Sequence, residues 1–165
     1  MKRQRRKYQL PKRPWDKERL ETEGELIKKF GLKTKRELWK AQAVLRKYRG
    51  LARELVARSD MDKEKILKDK LTKLNILGKD ATLDSVLSLT VEDFLNRRLQ
   101  TVIFKKNLAN TAKQARQFIT HGNVLIENKK VVYPSYMVLI DEEDSIIVKV
   151  APSKKIVSEE NAAAN

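Results

Sequence analysis

Residues 90–136 constrain the fold more than any other part of the 165-residue chain, because two helix-start signals there precede a hairpin signal. Thr90 and Asp93 have the spacing of a capping box, and so do Thr111 and Gln114. Apolar residues recur at helical spacing behind each start. Gly122 is suited to end the second helix in the left-handed conformation. The pattern predicts two consecutive short helices.

A hairpin is predicted directly after Gly122. Residues 124–126 and 131–132 are β-branched or apolar, and they flank the polar residues 127–130. Asn128 tolerates a positive φ, which favours a tight turn in this segment. Pro134 cannot donate to a strand ladder, so the second strand is expected to stop there or to lie at a sheet edge.

Cations follow the outer sides of both predicted helices. Arg97, Arg98 and Lys105 belong to the first helix, and Lys113 and Arg116 belong to the second. The only acidic residues of the two helices, Glu92 and Asp93, lie in the first turn of the first helix, where the helix dipole favours them. Solvated cations would explain either helix alone. Two such helices in succession favour a cationic binding surface.

The whole chain is basic, with 37 Lys and Arg against 22 Asp and Glu, a formal net charge of +15 and a pI near 10.0. Such an excess predicts a polyanionic partner, with an acidic membrane surface or a generic solubility effect as the alternatives. There is no cysteine, and His121 is the single histidine. No phosphate-loop, dinucleotide or metalloprotease motif is present. We expect no cofactor, no metal and no enzymatic activity, and no segment resembles a membrane span.

The sequences RRLQ at 97–100 and AKQARQFITHGNVLIENKKVVYPSY at 112–136 closely resemble the RNA-binding domain named after small-subunit ribosomal protein four. The sequence RPWDKERL at 13–20 resembles the archaeal and eukaryotic branch of that ribosomal family. The chain lacks the cysteine zinc knuckle of bacterial members and the basic C-terminal extension of eukaryotic ones. An archaeal-type member is therefore expected.

The resemblance implies a cytoplasmic component of the small ribosomal subunit that binds ribosomal RNA directly and nucleates subunit assembly. It also implies contact with neighbouring small-subunit proteins and a position near the mRNA entry path, where mRNA itself is a further possible partner. A ribosome-biogenesis factor of the same family, which binds precursor RNA and then leaves, is the alternative. An RNA-modifying enzyme would need a catalytic domain that the chain does not offer. A peripheral membrane protein would need a broad amphipathic helix, so no membrane partner is expected.

The expected fold class is α+β, with an all-helical subdomain before a small domain of two helices and a bent antiparallel sheet. Residues 1–14 should form a disordered basic arm, 15–89 the helical subdomain, 90–152 the RNA-binding domain and 153–165 a flexible tail. Helices are predicted from Asp16 to Gly31, from Thr34 to about Arg58, over 62–77 and over 82–89, and Thr34 and Glu37 have the spacing of a capping box. Residues 141–144 should form an acidic loop that faces away from RNA, before a strand at 145–150.

The candidate RNA contacts combine the arm, both helices and the hairpin. The cations and the helix amides at Thr111 would bind phosphates, and the bent surface would recognise the shape of the folded RNA. Tyr8 of the arm could also stack on a base. The candidates are Lys2, Arg3, Arg5, Arg6, Lys12, Arg13, Arg97, Arg98, Lys105, Lys106, Thr111, Lys113, Gln114, Arg116, Gln117, His121, Asn128, Lys129, Lys130, Tyr133, Ser135 and Tyr136.

Overall fold

The computed structural model describes residues 7–78 and 81–149, and it combines helices with one three-stranded antiparallel sheet. The α+β prediction is therefore confirmed. The predicted tail, Val150 and the first six residues of the predicted arm lie outside the described residues. In chain order the elements are α1 (Lys17–Phe30), α2 (Lys35–Arg58), α3 (Met61–Lys73), α4 (Leu83–Ser88), α5 (Val91–Asn96), α6 (Leu99–Lys105), α7 (Ala112–Thr120), β1 (Val124–Ile126), β2 (Lys129–Lys130), α8 (Ile140–Glu143) and β3 (Ile146–Val148).

The first four helices begin and end largely where the sequence predicts. α1 follows Asp16 and stops at Gly31, whose φ of 59° is left-handed. α3 is the exception, because it ends at Lys73, before the predicted residue 77. Asn75 adopts a φ of 52° there, a conformation that asparagine tolerates well. The helix therefore stops before Gly78 is reached.

The start of α2 corrects one prediction. Thr34 is the N-cap residue, but its side chain makes no capping hydrogen bond. Glu37 does not fold back to complete a capping box. It binds two arginines from distant parts of the chain instead, and one of them, Arg116, donates to both of its carboxylate oxygens.

Residues 90–120 form three helices where two were predicted. The predicted capping box at Thr90 is present, since its backbone N–H donates to Asp93 Oδ2 at 2.7 Å. The helix that it opens ends at Asn96, and Arg98 is extended, with φ −70° and ψ 139°. Arg98 forms a β-bridge with Met137 before α6 begins. In this pairing the Val138 N–H donates to the Arg97 carbonyl oxygen at 3.0 Å and the Leu99 N–H donates to the Tyr136 carbonyl oxygen at 2.8 Å, partners that a continuous helix would not use.

The hairpin is tighter than predicted. Glu127 and Asn128 have φ values of 47° and 65°, which fits a two-residue turn of the type I′ kind. Lys129 pairs with Ile126 in the ladder, so the second strand starts two residues earlier than the sequence indicated. The strand order is β2-β1-β3, which puts β2 at the edge, as predicted from Pro134. The predicted last strand is confirmed as β3.

Three apolar clusters hold these elements together. One cluster packs α6 and α7 against the sheet, and a second packs α2, α3 and α4 together with Phe94 of α5. The third joins α1 and α2 to Leu95 of α5. α5 therefore contributes to both clusters that hold α1 to α4 together. By its packing it groups with these helices and not with the residues that follow it.

Gln100 ties the end of α1 to the start of α7. Its side chain is fully buried, and its Nε2 atom donates to the carbonyl oxygens of Gly31 and Ala112, each at 2.9 Å. A Cβ atom added at Gly31 would lie only 2.8 Å from Ala112 Cβ. Glycine is therefore required here both by the positive φ and by the close approach of the two helices.

Candidate nucleic-acid interface

Glu37 is the centre of a three-residue ion cluster, called here the Glu37 cluster, that also contains Arg98 and Arg116. Arg98 Nη2 donates to Glu37 Oε2 at 2.6 Å. Arg116 donates from both terminal nitrogens, at 3.1 Å to Oε2 and 2.9 Å to Oε1. The cluster joins α2 to α7 and to the residue before α6. Two of the predicted RNA-binding arginines therefore form ion pairs with a carboxylate of the protein itself.

The Glu37 carboxyl has a pKa below its ordinary value of 4.5. Burial acts to raise this pKa, but the hydrogen bonds from Arg116 and Arg98 outweigh burial. Because the folded-state pKa is depressed, the stability contributed by the carboxylate is present in full above the unfolded value. It is lost as the pH falls through the folded value.

We predict that the stability difference between wild type and Glu37→Gln is constant at neutral pH and shrinks below about pH 4.5. Gln keeps the shape of the side chain but carries no charge, so it isolates the ionic contribution. Urea unfolding of both proteins from about pH 7 to about pH 3 measures the difference. A difference that stays constant over this range would show that the carboxylate does not titrate as described.

Two of the acidic residues 141–144, Glu143 and Asp144, pair with cations of their own domain. Residues 141–144 do not form the predicted loop, because residues 140–143 make the single helical turn α8. Arg97 Nη1 donates to Glu143 at 2.8 Å, and the side chain of Arg97 is only 9% exposed. Lys106 Nζ lies 3.1 Å from Asp144 Oδ1. Arg97 is therefore an internal ion-pair partner.

The Tyr136 hydroxyl is also engaged by α8. It donates to Glu142 Oε1 at 2.6 Å. This hydrogen bond is the main cause that raises the pKa of Tyr136 to about 12. The phenol therefore stays protonated, and its one donor is used inside the domain.

The remaining described candidate cations are exposed and join no ion pair within residues 7–78 and 81–149. This property separates them from Arg97, Arg98, Lys106 and Arg116. They are Lys12, Arg13, Lys105, Lys113, Lys129 and Lys130.

Lys130 connects the hairpin to the end of α7. Its Cε atom would lie 1.9 Å from a Cβ atom added at Gly122, so the lysine stem crosses the glycine directly. Gly122 also has a φ of 72°, as predicted for the residue that ends this helix. The stem carries the Lys130 ammonium from β2 towards α7. The exposed candidate residues of α7, its two ends and the hairpin are called here the α7–hairpin surface: Thr111, Lys113, Gln117, His121, Asn128, Lys129 and Lys130.

The other polar candidates divide between caps and surface. Thr111 Oγ1 accepts from the backbone N–H of Gln114 at 3.1 Å, as the capping pattern predicted. The Gln114 side chain accepts from the backbone N–H of Asn110, so it stabilises the loop that precedes α7. Tyr133 and Ser135 are exposed, with 69% of Tyr133 accessible.

The described part of the arm contacts the body of the protein. The rings of Tyr8 and Trp39 lie 5.8 Å apart, and Arg46 donates to the Gln9 side chain. Trp39 also donates from Nε1 to the buried Glu23 at 3.0 Å. Tyr8 was predicted to stack on a base, and here its ring faces a tryptophan. Lys2, Arg3, Arg5 and Arg6 lie outside the described residues.

Sequence reasoning missed the roles of Glu37 and Gln100. Each makes its contacts with residues far away in the chain, so no local spacing signals them. Among the described residues, no group of His, Asp and Glu side chains could hold a metal ion. None of the described helices combines the length and apolar character needed to cross a membrane.

Comparison with known families covers nearly the whole chain. Residues 2–96 match the model described as ribosomal protein S4/S9 N-terminal domain, and residues 97–144 match the S4 domain. The protein named small ribosomal subunit protein uS4 of Picrophilus torridus is 50% identical over 149 residues, covering 87% of this chain and 81% of the relative. Those of Saccharolobus solfataricus and Nanoarchaeum equitans are 48% identical over 158 residues and 50% over 150. They cover 93% and 87% of this chain, and 87% and 83% of the respective relatives. The chain belongs to the ribosomal protein S4 family.

Proposed function

We propose that the chain is a structural component of the cytoplasmic small ribosomal subunit that binds ribosomal RNA directly through the α7–hairpin surface. The observation that carries the proposal is the division of the charges. The acidic side chains of Glu37 and residues 142–144 bond to arginines, to Lys106 and to Tyr136. The lysines of α7 and the hairpin, by contrast, are exposed and join no ion pair within the described residues.

The mechanism is binding by charge neutralisation and shape. Lys113, Lys129 and Lys130 present ammonium groups that can replace the counterions of RNA phosphates. Lys105 adds a further exposed cation on α6. Asn128 and Tyr133 can hydrogen-bond or stack on unpaired bases. No reacting group or cofactor is needed for this role.

Nucleation of subunit assembly, contact with neighbouring small-subunit proteins and contact with mRNA at the entry path belong to the same proposal. They rest on family membership, and the names of the relatives support only the place in the small subunit. A ribosome-biogenesis factor that binds precursor RNA has no observation in its favour. Co-sedimentation with mature small subunits after a high-salt wash distinguishes the two roles, because a factor that leaves the precursor would not remain on the mature particle.

We predict that affinity for a transcript of archaeal small-subunit ribosomal RNA falls steeply with salt. Displacing counterions from about six phosphates implies a loss of roughly 10³-fold between about 50 mM and 200 mM salt. Filter binding of the full chain across this range measures the slope. A nearly flat dependence would contradict the assignment of the exposed lysines to phosphates.

A further inference from the structure

A pocket of about 390 Å³ lies between the helical part, which comprises α1 to α5, and the domain formed by the residues after α5. α2 supplies one side of it, and residues 134–137 supply another, together with Arg98 and Arg116. Its volume is within the range of sites that enclose small organic groups. The pocket is separate from the α7–hairpin surface, and the proposed function does not use it.

The walls of the pocket are flat and largely apolar. Tyr48 and Phe94 stack with their ring centroids 5.6 Å apart and an interplanar angle of 20°. Val44, Pro134 and Met137 add aliphatic surface. Val44 remains 42% exposed although it lines a cavity, so this apolar surface has no cover within the described protein.

The charges around the pocket favour an anionic occupant. Lys40, Arg98 and Arg116 line it, and Glu37 is the single acid among the lining residues. Lys40 is exposed and joins no ion pair within the described residues. A ligand with a flat apolar body and one negative charge would pack against the apolar walls and pair with the excess of cations.

We propose that the pocket receives one unpaired nucleobase of the bound RNA, with its phosphate held by Lys40. The inference rests on the proposed function and names a specific contact within it. Unpaired bases are commonly splayed out of RNA and stacked on aromatic side chains, and this pocket offers the half-buried Tyr48 ring, which stacks on the buried Phe94, together with Pro134. Ser135 supplies a hydroxyl that can bond to the edge of the base.

The test fills the pocket without removing a charge. Val44→Trp on α2 and Ser135→Trp on the opposite side each place an indole where the base would lie. Val56→Trp is the matched control, because Val56 is also an exposed valine of α2, at 55%, and is not among the residues lining this pocket. All three proteins are first compared with wild type by thermal unfolding, and a variant that does not fold is set aside in favour of the other.

We expect Val44→Trp and Ser135→Trp to weaken binding of the archaeal small-subunit RNA transcript at least tenfold, and Val56→Trp to leave it unchanged. The salt slope of the variants should fall by no more than about one unit, because the phosphate held by Lys40 is the one phosphate contact that the expelled nucleotide takes with it. Dimethyl sulfate probing should show one unpaired nucleotide that wild type protects and both variants expose. The rest of the footprint should be unchanged.

Three results would overturn the proposal. The folded pocket variants could bind like wild type with the same footprint, as expected if the pocket receives a peptide of another protein. They could lose affinity with a salt slope smaller by several units, which would indicate that phosphate contacts elsewhere on the protein were lost. If wild type itself fails to bind the transcript, the proposed function fails as well, so the two failures are distinguishable.

Discussion

Replacing Glu37 with alanine should lower the free energy of unfolding by about 3 kcal/mol, because two arginines would be left without their anion. Arg98 and Arg116 have side-chain exposures of 7% and 23%, so water can replace the lost carboxylate only in part. The same substitution should loosen the contact of α2 with α7. Urea unfolding at neutral pH measures the change.

Glu54→Ala is the control for this prediction. Glu54 also lies on α2 and pairs with an arginine, Arg58, at 2.9 Å, but its side chain is 52% exposed. An exposed pair of this kind contributes no more than about 0.5 kcal/mol. If both substitutions cost the same, the Glu37 cluster does not hold the two parts of the chain together.

Reversing two charges of the α7–hairpin surface should have the largest effect on RNA binding. In the double variant Lys113→Glu, Lys129→Glu, two attractions to phosphate become repulsions. We expect affinity for the small-subunit RNA transcript to fall well over tenfold, which corresponds to more than about 1.4 kcal/mol. Both side chains are exposed and join no described ion pair, so thermal stability should be unchanged. Filter binding and circular dichroism provide the two measurements.

Lys65→Glu, Lys73→Glu is the matched control, because it makes the same charge change on exposed residues of α3. If both double variants weaken binding equally, net charge explains the effect and the α7–hairpin surface has no special part in it. Arg116 is unsuitable for this test, since its reversal would place two carboxylates together in the Glu37 cluster. Reversal of residues 141–144 would likewise remove the partners of Arg97 and Lys106.

The sequence was sufficient where structure depends on neighbouring residues. Helix starts at Asp16 and Thr111, the left-handed ends at Gly31 and Gly122 and the turn at Asn128 each follow from the conformational preference of one residue. Hydrophobic spacing then placed the apolar faces of the helices. These local signals determine α1, α2, α7 and the hairpin.

The pairing of charges could not be predicted in this way. Glu37 meets Arg98 and Arg116 across 61 and 79 residues, and Arg97 meets Glu143 across 46. The sequence contains the same cations whether they are exposed or paired, so only the folded arrangement separates internal arginines from exposed lysines. The break between α5 and α6 was missed for a similar reason, because it depends on pairing with Met137.

The boundary between the two parts is also affected by long-range packing. The helix-start signal at Thr90 suggested a domain starting there. Phe94 and Leu95, however, pack with the helical part, and the two family models meet between residues 96 and 97. We propose that the boundary lies after Asn96, with α5 as the last element of the helical part.

The most direct test of the account is to crosslink the full chain to small-subunit ribosomal RNA and to map the crosslinked residues by mass spectrometry. We predict that crosslinks concentrate in residues 111–117 and 127–130, which contribute most of the α7–hairpin surface. Crosslinks concentrated in α3 or α8, with none in those two segments, would show that RNA binds a different face of the protein.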